Sequence, residues 1–203
     1  MIDTDLSLDE QSNARKYLNR NPLQRFIVSR FLRKVAEMVE NESPAIMVDA
    51  GCGEGFVLNE LRRRLPNVRL MGLDFSAEAL RYPLHSDDRW EKMRSDVTHL
   101  PFRDTCVDVV TCLEVLEHLR EPEEALAELQ RVCGRTIVLS VPNEPWFRIA
   151  NLVRLKNLRE LGNGPGHIQH WSARSFPRFV SSRFRVKQIV TTAFPWTIVL
   201  AER

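Results

Sequence analysis

The stretch Val48-Asp49-Ala50-Gly51-Cys52-Gly53-Glu54-Gly55 limits what this chain can fold into more than any other. The apolar run Ala45 to Val48 leads into it, and an amphipathic segment from Phe56 to Leu65 leaves it. The pattern predicts a strand, a glycine-rich turn and a helix start. Glycines at alternate positions allow a tight turn and let a ligand come close to the backbone, since no Cβ stands in the way. Asp49 closes the strand and sets a fixed negative charge above the end of the sheet. That charge repels a pyrophosphate and suits a cationic ligand.

The same alternation continues along the chain. A second apolar strand, Asn67 to Leu73, ends at Asp74-Phe75-Ser76. Asp74 stands roughly 20 residues beyond the glycine loop, where an acidic side chain grips ribose hydroxyls in doubly wound folds. Ser76 is placed as the N-cap of a helix from Ala77 to Arg81, which Pro83 ends. Trp90 to Arg94 is a short third strand, followed by Ser95-Asp96-Val97; Asp96 could accept a hydrogen bond from a purine amine. Val107 to Cys112 is a fourth strand, leading directly to Glu114-Val115-Leu116-Glu117-His118. A helix from Glu123 to Val132 follows, with Gly134 expected as its left-handed C′ residue. Arg135 to Val141 is the fifth strand. Arg185 to Thr191 and Pro195 to Ala201 lie too close together for a helical crossover and predict an antiparallel hairpin.

Strands alternating with helices predict an α/β fold: a Rossmann-like, mostly parallel sheet with helices on both faces. With 203 residues, 43% of them hydrophobic, the chain is expected to form one domain over 1–203. Within it, 1–40 forms an N-terminal helical cap and 143–171 a cover insertion. The cap carries a capping-box pattern at Ser7 and Glu10, and an amphipathic helix between Tyr17 and Val39. Phe26, Ile27, Phe31, Val35 and Met38 recur on that helix at helical spacing, and Pro22 suits its first turn. Arg15, Lys16, Arg20, Arg25, Arg30, Arg33 and Lys34 make it the most basic part of the chain. The insertion carries Trp146, Phe147, Ile149, Leu152, Val153 and Leu155, then Gly162-Asn163-Gly164-Pro165-Gly166, then His167, His170 and Trp171. Ser172 is expected to cap a helix through Ser181. Trp146, Phe147 and Trp171 could wall an acceptor site or pack in the core.

A net charge of +2 is too mild to indicate a nucleic-acid partner by itself, and none is expected. Cys52, Cys106, Cys112 and Cys133 lack paired C-x-x-C spacing, and no signal peptide precedes them, so reduced thiols in a cytoplasmic protein are expected. No apolar run approaches the roughly 20 residues that span a bilayer. Phe56 stands where the G-x-G-x-x-G fingerprint of nicotinamide enzymes needs a small residue. Asn143-Glu144-Pro145-Trp146 departs from the N-P-P-Y segment of DNA amino methyltransferases in residue and in position.

Together VDAGCGEG, GLDFS, SDVTHLPF, DVVTCLEVLEHL and VLSVPN resemble the class I S-adenosylmethionine-dependent methyltransferases. The likeness is to the group containing the ubiquinone-biosynthesis O-methyltransferases in particular, and it covers about residues 45 to 141. It implies a seven-stranded sheet whose last strand is antiparallel. It implies that Asp49, Ala50, Gly51, Cys52, Gly53 and Gly55, with Leu113 and Glu114, line the methionine and sulfonium side. Asp74, Phe75 and Ser76 would take the ribose, and Asp96 with Val97 the adenine. Asn21-Pro22-Leu23-Gln24-Arg25 is similar to the segment whose arginine holds the cofactor carboxylate, which assigns Arg25. Glu114, Glu117 and His118 with the later His167 are similar to a pattern that binds a divalent metal in some relatives. His118, His167 or His170 could serve as general base.

The expected reaction is methyl transfer from S-adenosylmethionine to a small-molecule acceptor, at oxygen. Three alternatives stay open on the sequence: methylation of RNA or another macromolecule, a nucleotide-dependent oxidoreductase, and a catalytically silent cofactor-binding subunit. The acceptor's identity and the oligomeric state are not written in the sequence.

Overall fold

A computed structural model describes residues 17–18, 21–82, 90–153 and 166–203. The expectations placed on Ser7, Glu10, Arg15, Lys16, Arg20, Pro83, Leu155 and the run from Gly162 to Pro165 lie outside these residues.

Helix α1 (Pro22–Glu42) starts where Asn21 accepts hydrogen bonds from the backbone N–H of Leu23 and Gln24, with Pro22 in the first turn. It ends at Ser43, in left-handed conformation. Val28, Phe31, Val35, Met38 and Val39 form its buried stripe. Phe26, expected on that stripe, is 55% exposed. At about 100° per residue it points some 200° away from Val28, to the opposite face.

The chain then runs β1 (Ile46–Ala50), α2 (Phe56–Arg64), β2 (Arg69–Asp74), α3 (Ala77–Arg81), β3 (Glu91–Arg94) and β4 (Val107–Leu113). A 3₁₀ turn (Leu116–His118), α4 (Pro122–Val132), β5 (Cys133–Pro142) and α5 (Trp146–Val153) follow, then α6 (Ser175–Val180), β6 (Arg185–Val190) and β7 (Trp196–Glu202). The seven strands form one sheet in the order β3-β2-β1-β4-β5-β7-β6. The first five are mutually parallel, and β7 is antiparallel to both β5 and β6, as the hairpin predicts.

Alternate residues of each strand feed opposite layers. Met47, Val109 and Val138 pack under α1 and α2 with Phe31, Leu58 and Leu61. Val48, Val110 and Ile137 pack under α4 and α6 with Leu126, Leu129 and Phe176. From β1 the chain winds outward through β2 and β3, then crosses back to β4 on β1's other side. The switch point therefore lies between β1 and β4, and such crevices at the carboxyl ends of strands bind ligands.

Two local expectations need correcting, and one that the sequence leaves open is decided. Gly134 is not a left-handed C′ residue: the chain passes from Val132 through Cys133, at φ −67° and ψ 123°, straight into β5. Glycine is needed there because a Cβ would lie 2.9 Å from the Thr105 carbonyl oxygen. Trp90 precedes β3 rather than belonging to it, and is buried with its Nε1–H donating to Asn59 Oδ1 at 3.2 Å. Trp171, open between two readings on the sequence, is partly buried and packs against the core on Phe176 and Phe179, with ring centroids 5.6 and 5.3 Å away. Ser172 does organise the start of α6, accepting from the N–H of Ser175 at 3.1 Å. The helix is shorter than expected, ending at Val180.

Candidate active site

The glycine loop sits at the switch point and is held from beneath. The N–H groups of Gly51 and Cys52 both donate to the Leu73 carbonyl, at 2.7 and 2.9 Å, and Gly55 N–H donates to Cys52 O at 2.9 Å. Gly51, Gly53 and Gly55 all have positive φ, a conformation that L side chains rarely adopt. A Cβ on Gly51 would fall within the Val115 side chain, and one on Gly55 within the Trp90 ring. The glycines therefore serve the packing of the loop as much as the approach of a ligand.

Asp49 is the centre of the charge arrangement. It is 2% exposed and accepts a 2.5 Å hydrogen bond from the Thr111 hydroxyl of β4. Burial pushes its carboxyl up to about 7; the Thr111 bond opposes that shift and the neighbouring Asp74 charge adds to it. Asp74 ends β2, with one oxygen taking the Gly53 N–H at 2.7 Å and the other the Ser76 N–H at 2.8 Å. A carboxylate oxygen has two lone-pair sites, so each keeps acceptor capacity for a hydroxyl. Ser76 caps α3 through Ala79 N–H at 3.1 Å, and the exposed Phe75 ring lies 5.4 Å from the Arg94 guanidinium carbon.

Asp96 follows β3 and accepts from the Thr98 N–H and hydroxyl, at 2.9 and 2.8 Å. The backbone bond is the larger cause that holds its carboxyl below the usual range. Next to it Val97 is buried. The loop that carries both is anchored by Arg131, which donates to Glu128, Asp104, Phe102 O and Leu100 O.

Above the loop lies a cleft of about 340 Å³, including space open to solvent. Asp49, Gly51, Cys52, Leu113 and Glu114 line it as expected, and Tyr17, Glu54, Phe56 and Val57 join them. Glu114 is held at φ 57°, in the left-handed region, with its N–H donating to Ser140 O at 2.9 Å. A non-glycine residue held there costs about 1–2 kcal/mol, which the packed ends of β4 and β5 sustain. Arg25 is exposed on the first turns of α1 and is not among the residues that line the cleft.

A second cluster forms one turn after Glu114. Glu117, His118 and His167 each bring a ligand-type atom within 4.8 Å of the others. Glu117 is buried, and its backbone carbonyl receives the N–H groups of Ile168 and Gln169 at 2.8 and 3.0 Å, pinning the segment that carries His167. His118 Nδ1 lies 3.0 Å from the Gly166 carbonyl oxygen. A carbonyl can only accept, so Nδ1 carries the proton and Nε2 of the neutral ring is the basic nitrogen. The His118 and His167 rings meet edge to face at 4.9 Å, and Phe147 stacks on His167 at 5.4 Å. Glu114 lines the cleft above the glycine loop, outside this cluster. His170 stands apart from it as well, its Nδ1 4.0 Å from the buried Glu144, whose carboxyl is raised chiefly by burial.

Sequence reasoning missed Tyr17, Glu54 and Val57. Glu54 was legible as an acid inside the loop, while Tyr17 joins the site through its ring stacked on Phe56, 39 positions away along the chain. The cysteines are free: Cys52, Cys112 and Cys133 are buried and Cys106 is exposed. Among the described residues no helix is long and apolar enough to cross a membrane.

Comparison with known proteins agrees with this geometry. Residues 48–136 match the family model described as a methyltransferase domain. The chain is 38% identical over 105 residues to a ubiquinone biosynthesis O-methyltransferase of Cupriavidus pinatubonensis, covering 47% of this chain and 41% of that protein. It is 27% identical over 140 residues to a demethylmenaquinone methyltransferase of Thermotoga maritima, covering 66% and 61%. The chain thus spans roughly half the length of these curated relatives. A crystal structure of a SAM dependent methyltransferase from Aquifex aeolicus superposes with a TM-score of 0.64 at 19% identity, covering 82% of this chain and 88% of that one. The glycine loop at the switch point lies within the residues that match the methyltransferase domain, and the sheet with its antiparallel last strand has the fold of the Aquifex structure.

Proposed function

We propose that this protein binds S-adenosylmethionine in the cleft above the glycine loop and transfers its methyl group to a hydroxyl oxygen of a small aromatic acceptor. The observation that carries the reading is the charge of the cleft. Asp49, Glu54 and Glu114 line it, and no Lys, Arg or His is among the described lining residues. A ligand with an ammonium and a sulfonium meets such a cleft favourably, and a pyrophosphate does not. Asp74 with Phe75 and Ser76 would take the ribose, and Asp96 with Val97 the adenine.

The acceptor would lie on the far side of the sulfonium, by Glu117, His118 and His167. Phe147, stacked on His167, offers a ring face for a planar acceptor. His118 Nε2 would take the acceptor proton while its Nδ1–H, held by Gly166, fixes the ring. His167 supports the same corner. Most of the rate would come from holding donor and acceptor in line and away from water. The relatives named for ubiquinone biosynthesis and menaquinone support a phenolic or quinol acceptor.

Glu117, His118 and His167 also fit a divalent cation, since a ligand imidazole commonly donates its other N–H to a backbone carbonyl, as His118 does. Bound there, a cation would lower the pKa of a nearby acceptor hydroxyl. Glu114 would remain with the cofactor.

Isothermal titration with S-adenosylhomocysteine tests the donor half: micromolar binding is expected, and no binding at millimolar ligand by folded protein overturns it. Labelled S-adenosylmethionine with a panel of phenols and quinols tests the acceptor half. Label recovered only in nitrogen or carbon products would overturn the assignment to oxygen.

A further inference from the structure

S-adenosylmethionine carries a carboxylate beside its two cations, and the acidic cleft offers that anion few donors. The loop N–H groups of Gly51, Cys52, Gly53 and Gly55 are committed to Leu73, Asp74 and Cys52, and the Glu114 N–H to Ser140. Among the described residues no lining side chain is a cation, and the exposed Arg25 is not among them. From these observations, and resting on the reading that the cleft takes S-adenosylmethionine, we infer that the Tyr17 hydroxyl is the donor that receives the cofactor carboxylate. Tyr17, ahead of α1, would then be part of the cofactor site.

Geometry places Tyr17 for that role. Its ring lies parallel to Phe56, with centroids 4.5 Å apart and planes 7° apart, so the phenol is fixed over the start of α2. Phe56, the residue that spoils a nicotinamide fingerprint, becomes the platform for this contact. Gly55 caps α2 without a side-chain bond, so the positive end of the helix lies at the same corner. Burial, then Glu114, Asp49 and Glu54, hold the Tyr17 hydroxyl well above its usual range, which keeps it a neutral donor at any physiological pH. A neutral donor suits this place: it can hold an anion without drawing the cationic groups' carboxylate partners away from them.

The test compares two ligands on one protein. S-adenosylhomocysteine carries the carboxylate, and S-adenosyl-3-thiopropylamine is the same molecule without it. Wild-type protein is expected to prefer the first by about tenfold or more, as a hydrogen bond to a charged group supplies. Tyr17→Phe keeps the stack on Phe56 and is expected to bring the two affinities within about twofold, by weakening only the first. Because the readout is a ratio within one sample, a change in the folded fraction does not move it. An unchanged ratio in Tyr17→Phe overturns the inference, most directly if Arg25→Ala abolishes the preference instead. Wild-type protein that binds neither ligand overturns the functional reading itself.

Discussion

Asp49 and Thr111 face each other in register across the parallel pair β1 and β4, and the Thr111 hydroxyl donates to the Asp49 carboxylate at 2.5 Å. The bond holds a buried acid at the one place in the sheet where the strand order reverses. Its carboxyl, raised by burial to about 7, is poised to ionise when a cation arrives.

Cofactor binding is therefore expected to depend on pH with a definite sign. A cationic ligand favours the carboxylate, so binding lowers the Asp49 pKa and releases a proton near pH 7. Affinity for S-adenosylmethionine should fall as pH drops below about 7. Titration at pH 7 in buffers of different ionisation enthalpy should show this release, and Asp49→Asn should abolish it while weakening binding by about 10- to 100-fold. Equal proton release by wild type and variant would rule Asp49 out as its source.

The same residue should oppose stability in the ligand-free protein. The Asp49 carboxyl titrates near 4 when unfolded and about 7 when folded, so its contribution to stability is complete below pH 4 and is lost as pH rises through 7. Asn at this position can still accept from Thr111. At pH 8 the ligand-free Asp49→Asn protein is expected to be more stable than wild type by on the order of 2–4 kcal/mol. Urea melts at pH 5 and pH 8 check this, and the gain should shrink at the lower pH.

Gly51→Ala should damage the loop before any ligand binds. The position combines φ +82° with a Cβ that would overlap Val115. A destabilisation of about 2–5 kcal/mol is expected, with loss of S-adenosylhomocysteine binding. Thermal melts with and without ligand measure both.

Arg131→Ala should act on the adenine side from a distance. It removes the donors that tie Leu100 O and Phe102 O to α4 and leaves Glu128 without its main partner. Because the guanidinium is partly exposed, the stability cost should be only about 1–2 kcal/mol. Nucleoside affinity should fall several-fold as the Asp96 and Val97 loop loosens, and titration with adenosine reads that loss without involving the methionine end.

His118→Ala should separate chemistry from cofactor binding. If His118 takes the acceptor proton, kcat should fall by about 10²- to 10⁴-fold while S-adenosylhomocysteine affinity stays within about twofold. A chelator that lowers kcat without changing that affinity, with recovery on adding magnesium or zinc, would place the divalent ion at Glu117, His118 and His167. An activity indifferent to chelation would leave those residues to proton transfer alone.

Much of the scaffold was readable because it is local. Alternating and continuous apolar runs fix the strands, Pro22 and Ser76 mark helix starts, and two strands too close for a crossover can only pair antiparallel. What misled was also local. Gly134 and the run from Trp90 looked like a cap and a strand start, yet the first is held by the Thr105 carbonyl and the second by the floor of the glycine loop, neither adjacent in sequence. On the sequence Trp171 stands open between a binding wall and core packing, and the contacts with Phe176 and Phe179 of α6 decide for packing.

By itself the sequence determined the order of strands and helices, the glycine loop, and the acids at the ends of β1 and β2 and just beyond β3, since these follow from neighbouring residues and from the period of the apolar pattern. Only the tertiary structure decided which side chains share the cleft. It brought Tyr17 onto Phe56, and it divided the residues named together from the sequence, leaving Glu114 in the cleft with Asp49 while Glu117, His118 and His167 meet as a separate cluster. Those meetings depend on how the sheet twists and how the loops at its carboxyl edge converge, quantities set by packing across the whole domain rather than by any stretch of it.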